Sequence, residues 1–251
     1  MTADAARFGL SPAVRRAAAA MLLVVGVQFW LIVGGGIWGD VRQLWVMLLA
    51  MAVAVVVVLV PAARRVLDGI GSIVNGSGGV GRYATAVGLA VLAAGYLYAT
   101  ARQQERPFAP AIHDDHSYLI QSRMLAAGRL WMPRHGLAEF FDSFHLITAP
   151  IYASKYPPGA ALFYAPALRI GLPPWAMSLA LSAASVGMLY LLLTELFDGV
   201  YGLLGVGMLL ACTMFRRTSI EVLAQPPMLF LMLVAWLALV RWWRRTCRRS
   251  R

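Results

Sequence analysis

The chain has 251 residues, of which 60% are hydrophobic and only 13% charged, at a mean hydropathy of +0.69. Such a composition excludes an ordinary water-soluble domain and describes a polytopic membrane protein. The basic excess, 22 Lys and Arg against 11 Asp and Glu for a net +11, flanks the apolar intervals instead of forming a stripe, so it reports topology and no nucleic-acid partner is expected.

A bilayer core takes about 20 apolar residues to cross as a helix. Uncharged intervals near that length run over 17–39, 43–63, 83–101, 170–194, 199–215 and 222–240, the fifth at the short limit. The expected fold is therefore all-α, with about six transmembrane helices. Residues 1–61 read as an N-terminal tail and an accessory transmembrane hairpin. Arg15 and Arg16 ahead of an apolar run resemble a signal sequence, but the run passes through Gly34, Gly35 and Gly36 without a clear A-x-A site, so a retained first span is expected. Residues 62–82, with Gly69, Gly71, Gly76, Gly78, Gly79 and Gly81, read as a flexible cytoplasmic linker. No strand precedes those glycines and no Lys-Ser/Thr follows, so a phosphate loop is disfavoured. Residues 83–243 form the functional module, with an outer loop over 102–174, and 244–251 a basic tail. Cys212 and Cys247 make no CxxC and no disulfide framework.

With six spans both termini share a side. Arg7, Arg15, Arg16, Arg64, Arg65, Arg82, Arg241, Arg244, Arg245, Arg248, Arg249 and Arg251 fall there, against Arg42, Arg216 and Arg217 on the other. That imbalance puts the termini in the cytoplasm of a plasma (inner) membrane and the long loop outside. An apolar stretch from Tyr156 to Leu168, opened by Pro157 and Pro158, is too short to span and is expected as a non-spanning helix on the outer side.

The loop holds all four histidines, His113, His116, His135 and His145, with Glu105, Asp114, Asp115, Glu139 and Asp142. Asp114 to Gly128 has helical character, with Asp114 or Asp115 as N-cap and Gly128 as the stop, and is expected to lie on the outer leaflet as an amphipathic helix. A carboxylate beside a membrane can deprotonate an acceptor hydroxyl, while a second carboxylate or an imidazole orients it or holds a metal. The competing reading is a capped surface helix with solvated charges. Ser154-Lys155-Tyr156-Pro157-Pro158-Gly159 places a cation and an aromatic ahead of a helix start, where a phosphate fits, although Lys155 is equally able to snorkel. Arg216 and Arg217, on the side the topology rule disfavours, suit a phosphate or anionic lipid headgroups. Glu221 follows as a second carboxylate or an interface residue.

In order, the pieces are a span ending at Arg102, His113-Asp114-Asp115-His116-Ser117-Tyr118, Gly128-Arg129-Leu130-Trp131, Glu139-Phe140-Phe141-Asp142-Ser143-Phe144-His145, Lys155-Tyr156-Pro157-Pro158-Gly159 and Glu195-Leu196-Phe197-Asp198-Gly199. Over roughly residues 83–243 this resembles the GT-C superfamily of membrane glycosyltransferases, in the group of protein O-mannosyltransferases and lipid A aminoarabinose transferases. The resemblance implies that Asp114 or Asp115 is the base in a single displacement on a sugar carried by a polyprenyl phosphate, with a glycan, lipid or protein hydroxyl as acceptor. Lys155, Tyr156, Arg216 and Arg217 are then the candidates for the donor phosphate. His116, Glu139, Asp142, His145 and Glu221 are candidates for acceptor contacts or support. A divalent metal, Mg or Mn, is an option with Asp114, Asp115 and His116 as candidate ligands. Family members usually continue through further spans, whereas this chain stops after the span ending near Trp243. A non-catalytic or split-enzyme subunit, binding a lipid-linked sugar or a partner protein, is therefore the alternative. A transporter is disfavoured, because no ionisable side chain lies inside the six intervals.

Overall fold

The computed structural model describes residues 79–249, and the expected hairpin over 1–61 lies outside the described residues. The elements are α1 (Gly79–Gln103), α2 (His113–Ala126), β1 (Met132–Pro133), a 3-10 turn (Ala138–Phe141), β2 (Leu146–Ile147), β3 (Ile151–Ser154), α3 (Ala161–Arg169), α4 (Pro174–Leu196), α5 (Gly199–Ala211), α6 (Thr213–Thr218) and α7 (Gln225–Arg249). Among the described residues, α1, α4 and α7 are long and apolar enough to cross a membrane. They match three expected intervals, 83–101, 170–194 and 222–240. Val87, Val91 and Leu92 of α1 and Met228, Leu231 and Trp236 of α7 are exposed, and hydrocarbon is the solvent that suits such faces. The linker expected to run to Arg82 ends earlier, since Gly79, Gly81 and Arg82 already belong to α1.

The expected fifth span is corrected. In its place stand α5, whose 13 residues reach about 20 Å at 1.5 Å per residue, short of a core of about 30 Å, and the six-residue α6. The chain leaves helical geometry at Cys212 (φ −66°, ψ 117°). Gly199, Gly202, Gly205 and Gly207 weaken α5 as an isolated helix. The apolar stretch from Tyr156 gives the nine-residue α3, too short to span, as expected.

The chain divides into two compact units, to both of which α1, α4 and α7 contribute. The described part of the first comprises 79–89, 186–214 and 235–249. Here Asp198 caps α5, its Oδ1 accepting the Val200 and Tyr201 amides at 2.9 and 3.2 Å. Glu195 at the end of α4 binds Arg241 at 3.3 Å and Arg244 at 2.9 Å. The Glu195–Gly199 run thus has structural duties.

The second unit, 90–185 and 215–234, holds the loop. Helix α2 packs on α3 and β3, and a small antiparallel sheet in the order β1-β3-β2 sets Met132 opposite Tyr152 and Leu146 opposite Ser154. Its core is Tyr118, Tyr164, Val222 and Leu223, with Tyr156 and Met177 against it. Buried Tyr164 donates to the Leu223 carbonyl at 2.6 Å and Ser178 to that of Glu221 at 2.6 Å. These two bonds fix the segment ahead of α7 against α3 and α4.

Candidate functional site

Helix α2 begins at His113 because Ile112 is extended (φ −126°, ψ 161°) and acts as the N-cap without a side-chain bond. The expectation of an aspartate N-cap is therefore corrected. Asp114 and Asp115 sit one step inside, in the first turn, where the helix's free amides favour negative charge. The far end is as read: Gly128, at φ 71°, donates to Leu125 at 2.9 Å, and Arg129 to Met124 at 2.8 Å. That is the double closure a left-handed glycine allows.

The buried face of α2 is not the apolar one expected of a helix lying on lipid. It carries Asp115, Ser117, Gln121 and Ser122 beside Tyr118, Leu119 and Met124. Buried polar groups must be bonded, and most of these are. The Ser117 hydroxyl lies 2.8 Å from that of Ser154 and 2.9 Å from the His145 carbonyl, and Gln121 donates to the Tyr156 carbonyl at 2.7 Å. These bonds hold β2, β3 and the residues after them against the first turns of α2.

The result is a three-membered contact around one oxygen. Tyr156 Oη stands 2.8 Å from Asp114 Oδ1 and 2.7 Å from His145 Nδ1, and His145 Nε2 is 3.0 Å from the same Oδ1. The tyrosine has one proton to give. An ionised Asp114 can only accept, so Tyr156 donates to it at 2.8 Å, and the phenol oxygen keeps a lone pair for His145 Nδ1. Tyr118, Tyr156 and His145 form a stack, with centroids 4.6 and 5.5 Å apart in succession. Burial and the Asp114 carboxylate push the Tyr156 phenol up to about 12, so it remains a donor throughout the ordinary pH range. The Asp114 side chain is 40% exposed, and both contacts fall on Oδ1, leaving Oδ2 for a further partner.

Asp115 turns the other way. It is 1% exposed, its Oδ2 accepts the Ala111 amide at 3.3 Å, and its Oδ1 is buried without a partner. Burial raises its pKa above the ordinary carboxylate value, against the pull of the Ala111 and Ile112 amides. Burial likewise raises that of Glu221, and the charge of Asp115 adds to it, while Arg217 and Arg106 oppose. The first turn of α2 and the segment after α6 therefore feel each other's charge.

Arg106 is the member that sequence reading missed, since its partners lie 110 and 111 positions along the chain. It donates to the Arg216 carbonyl at 2.7 Å and to that of Arg217, a cation across the carbonyl end of α6. Arg217 Nε lies 3.4 Å from Glu221 Oε1, with a side chain 65% exposed.

Other candidates stand apart. Lys155 donates to the Phe144 carbonyl at 2.7 Å and lies over the Phe144 ring. The prolines after it occupy a turn, and α3 starts only at Ala161, so no proline opens that helix as expected. His113 and His116 are exposed, as are Glu139 and Asp142 around the 3-10 turn, and His135 Nδ1 accepts the Leu137 amide. Among the described residues no group of three or more His, Cys, Asp or Glu is arranged to hold a metal. Asp114, Asp115 and His116 do not fit a common ion, because the two carboxylates diverge and His116 faces solvent.

Comparison of the chain with protein-family models, with curated protein sequences and with solved structures finds no match.

Proposed function

We propose that this protein is a membrane glycosyltransferase that moves a sugar from a polyprenyl-phosphate carrier to an acceptor hydroxyl. The observation that carries this reading is Asp114. It is a half-exposed carboxylate at a helix start, with one oxygen held by Tyr156 and His145 and the other free. That is what a general base requires: fixed orientation and an open oxygen.

In the proposed step Asp114 Oδ2 takes the proton of the acceptor hydroxyl. The acceptor oxygen forms a bond to the anomeric carbon, and the bond from that carbon to the carrier's phosphate oxygen breaks with its electron pair. Polyprenyl phosphate leaves. Arg217, whose guanidinium is largely exposed beside Glu221, is the cation for the departing phosphate, with Arg216 and Lys155 as further donors. Exposed Trp131, Phe140 and Phe144 on the same loop offer apolar surface to a sugar ring or a lipid stem. No step is routed through a metal.

The topology is part of the proposal, with the loop on the outer face and both termini in the cytoplasm.

The test is transfer from a radiolabelled polyprenyl-phosphate sugar in membranes carrying wild-type chain, Asp114→Asn, or Asp114→Asn with Asp115→Asn. Loss of a general base costs about 100-fold or more, so Asp114→Asn should fall by at least that factor at unchanged expression and thermal midpoint. Undiminished transfer by the single and double variants would refute the assignment.

A further inference from the structure

Arg106 takes no part in the contacts that join Asp114, Tyr156 and His145, yet three features of its surroundings give it a task. The first is the way α1 ends. The Arg106 amide bonds the Ala101 carbonyl at 3.0 Å and the Glu105 amide that of Arg102 at 3.1 Å, the paired closure usually made around a left-handed glycine. Here the left-handed position is filled by Glu105, at φ 51°, where a residue other than glycine is strained. Such strain persists only where surrounding contacts hold it. Arg106 is the first residue beyond this turn.

The second is its grip. Arg106 Nη1 donates to the Arg216 carbonyl at 2.7 Å and Nη2 to that of Arg217. The last carbonyls of a helix have no partner within it, and α6 ends at Thr218. The Arg216 carbonyl also accepts the Ser219 hydroxyl at 2.7 Å, so both its lone pairs are engaged. Two bonds from one planar guanidinium fix direction as well as distance, which a lysine ammonium cannot do.

The third is charge. Burial draws the Arg106 pKa below its ordinary value; Glu221 opposes, and Arg217 and Arg216 add to the draw. An arginine stays charged through such a shift. One cation is therefore held beside two others, with Glu221, 3.4 Å from Arg217 Nε, attracting Arg106 and Arg217 alike. Coulomb repulsion alone would spread the guanidinium groups apart, so the fork on the backbone is what sets where Arg217 stands.

We propose that Arg106 is a positioning residue for the leaving phosphate: by gripping the carbonyls of Arg216 and Arg217 it fixes the end of α6, and through it the Arg217 guanidinium. The inference rests on the glycosyl-transfer reading for the identity of the phosphate, and on the fork for the route of action. Arg106 does not touch the donor; it acts through Arg217.

The test is a double-mutant cycle on binding. Purified full-length wild-type chain, Arg106→Lys, Arg217→Gln and the double variant, in phosphatidylcholine nanodiscs, are titrated with farnesyl phosphate, and with farnesol to subtract the contribution of the lipid chain. Wild type should bind farnesyl phosphate more tightly than farnesol, and each single variant should weaken the phosphate by roughly ten-fold, the scale of one charged hydrogen bond. The double variant should weaken it by that same factor and not by the product, because the fork has no effect once the guanidinium it places is gone. Arg217→Gln leaves the fork in place, since Arg106 binds a carbonyl there, and its thermal midpoint should match wild type. Arg106→Gln, which also breaks the fork, runs through the same cycle and secures the test against misfolding of the lysine variant. Losses that multiply in the double variant, or binding by both Arg106 variants equal to wild type, would overturn the inference and leave the donor reading standing. Wild-type chain that binds farnesyl phosphate no better than farnesol would refute the donor reading, and the inference with it.

Discussion

Asp114 and Asp115 share the first turn of α2, yet one carboxylate is about two-fifths exposed and tied to two side chains while the other is enclosed with a bare oxygen. Adjacent residues on a helix point about 100° apart, so two neighbours must divide between the exposed side and the core. The sequence carried the pair but not the division, because the partners of Asp114 are 31 and 42 residues away. His145 was legible only as one loop histidine among four, and Tyr156 only as an aromatic beside a lysine. The tyrosine contacts carry a prediction. Tyr156→Phe removes the phenol from both Asp114 and His145, and transfer should fall roughly ten-fold, the scale of one lost positioning hydrogen bond. A steady-state rate equal to wild type would show the contact to be idle. Asp115 carries another, on stability. Burial raises its folded pKa, so its contribution is fully present below the ordinary carboxylate value of about 4 and is lost as pH rises through the raised one. Asp115→Asn, which keeps an acceptor for the Ala111 amide, should therefore melt above wild type at neutral pH, with the gap closing on acidification. A lower midpoint at neutral pH would contradict this.

At the scale of elements, hydropathy was a good ruler for α1, α4 and α7, because a helix in hydrocarbon must be long and uncharged. It failed over 199–215, where four glycines make the interval apolar without making it one helix. Periodicity failed at α2 for another reason. Its buried face answers to Ser154, His145 and Tyr156, and a polar face that is bonded inside cannot be told from one bonded to water by residue type alone. The glycines of α5 also differ among themselves. A Cβ on Gly202 would sit 2.6 Å from Thr194 Oγ1 and 2.8 Å from Tyr190 Cδ2, whereas one on Gly207 meets nothing within 4 Å. Gly202→Val should thus cost about 1–3 kcal/mol by overpacking α5 against α4, read as a lowered thermal midpoint in detergent. Gly207→Ala should be neutral or slightly stabilising through helix propensity, and equal destabilisation by the two would show that α5 does not pack where the structure puts it.

Across the whole molecule, the sum of charge was legible in the sequence and its pairings were not. The arginine count gave an expected side to the ends of the spans, but not the grouping of Arg241 and Arg244 on Glu195 or of Arg106 on α6. Those pairings join residues 46 to 111 positions apart, a separation that no local pattern encodes. The most direct measurement is turnover by the purified full-length chain in proteoliposomes, supplied with a polyprenyl-phosphate sugar and a hydroxyl acceptor. Wild-type chain should release polyprenyl phosphate in step with glycosylated acceptor, and the Asp114→Asn chain should release neither. Donor that binds yet is never consumed, or release that persists without the Asp114 carboxylate, would contradict the account.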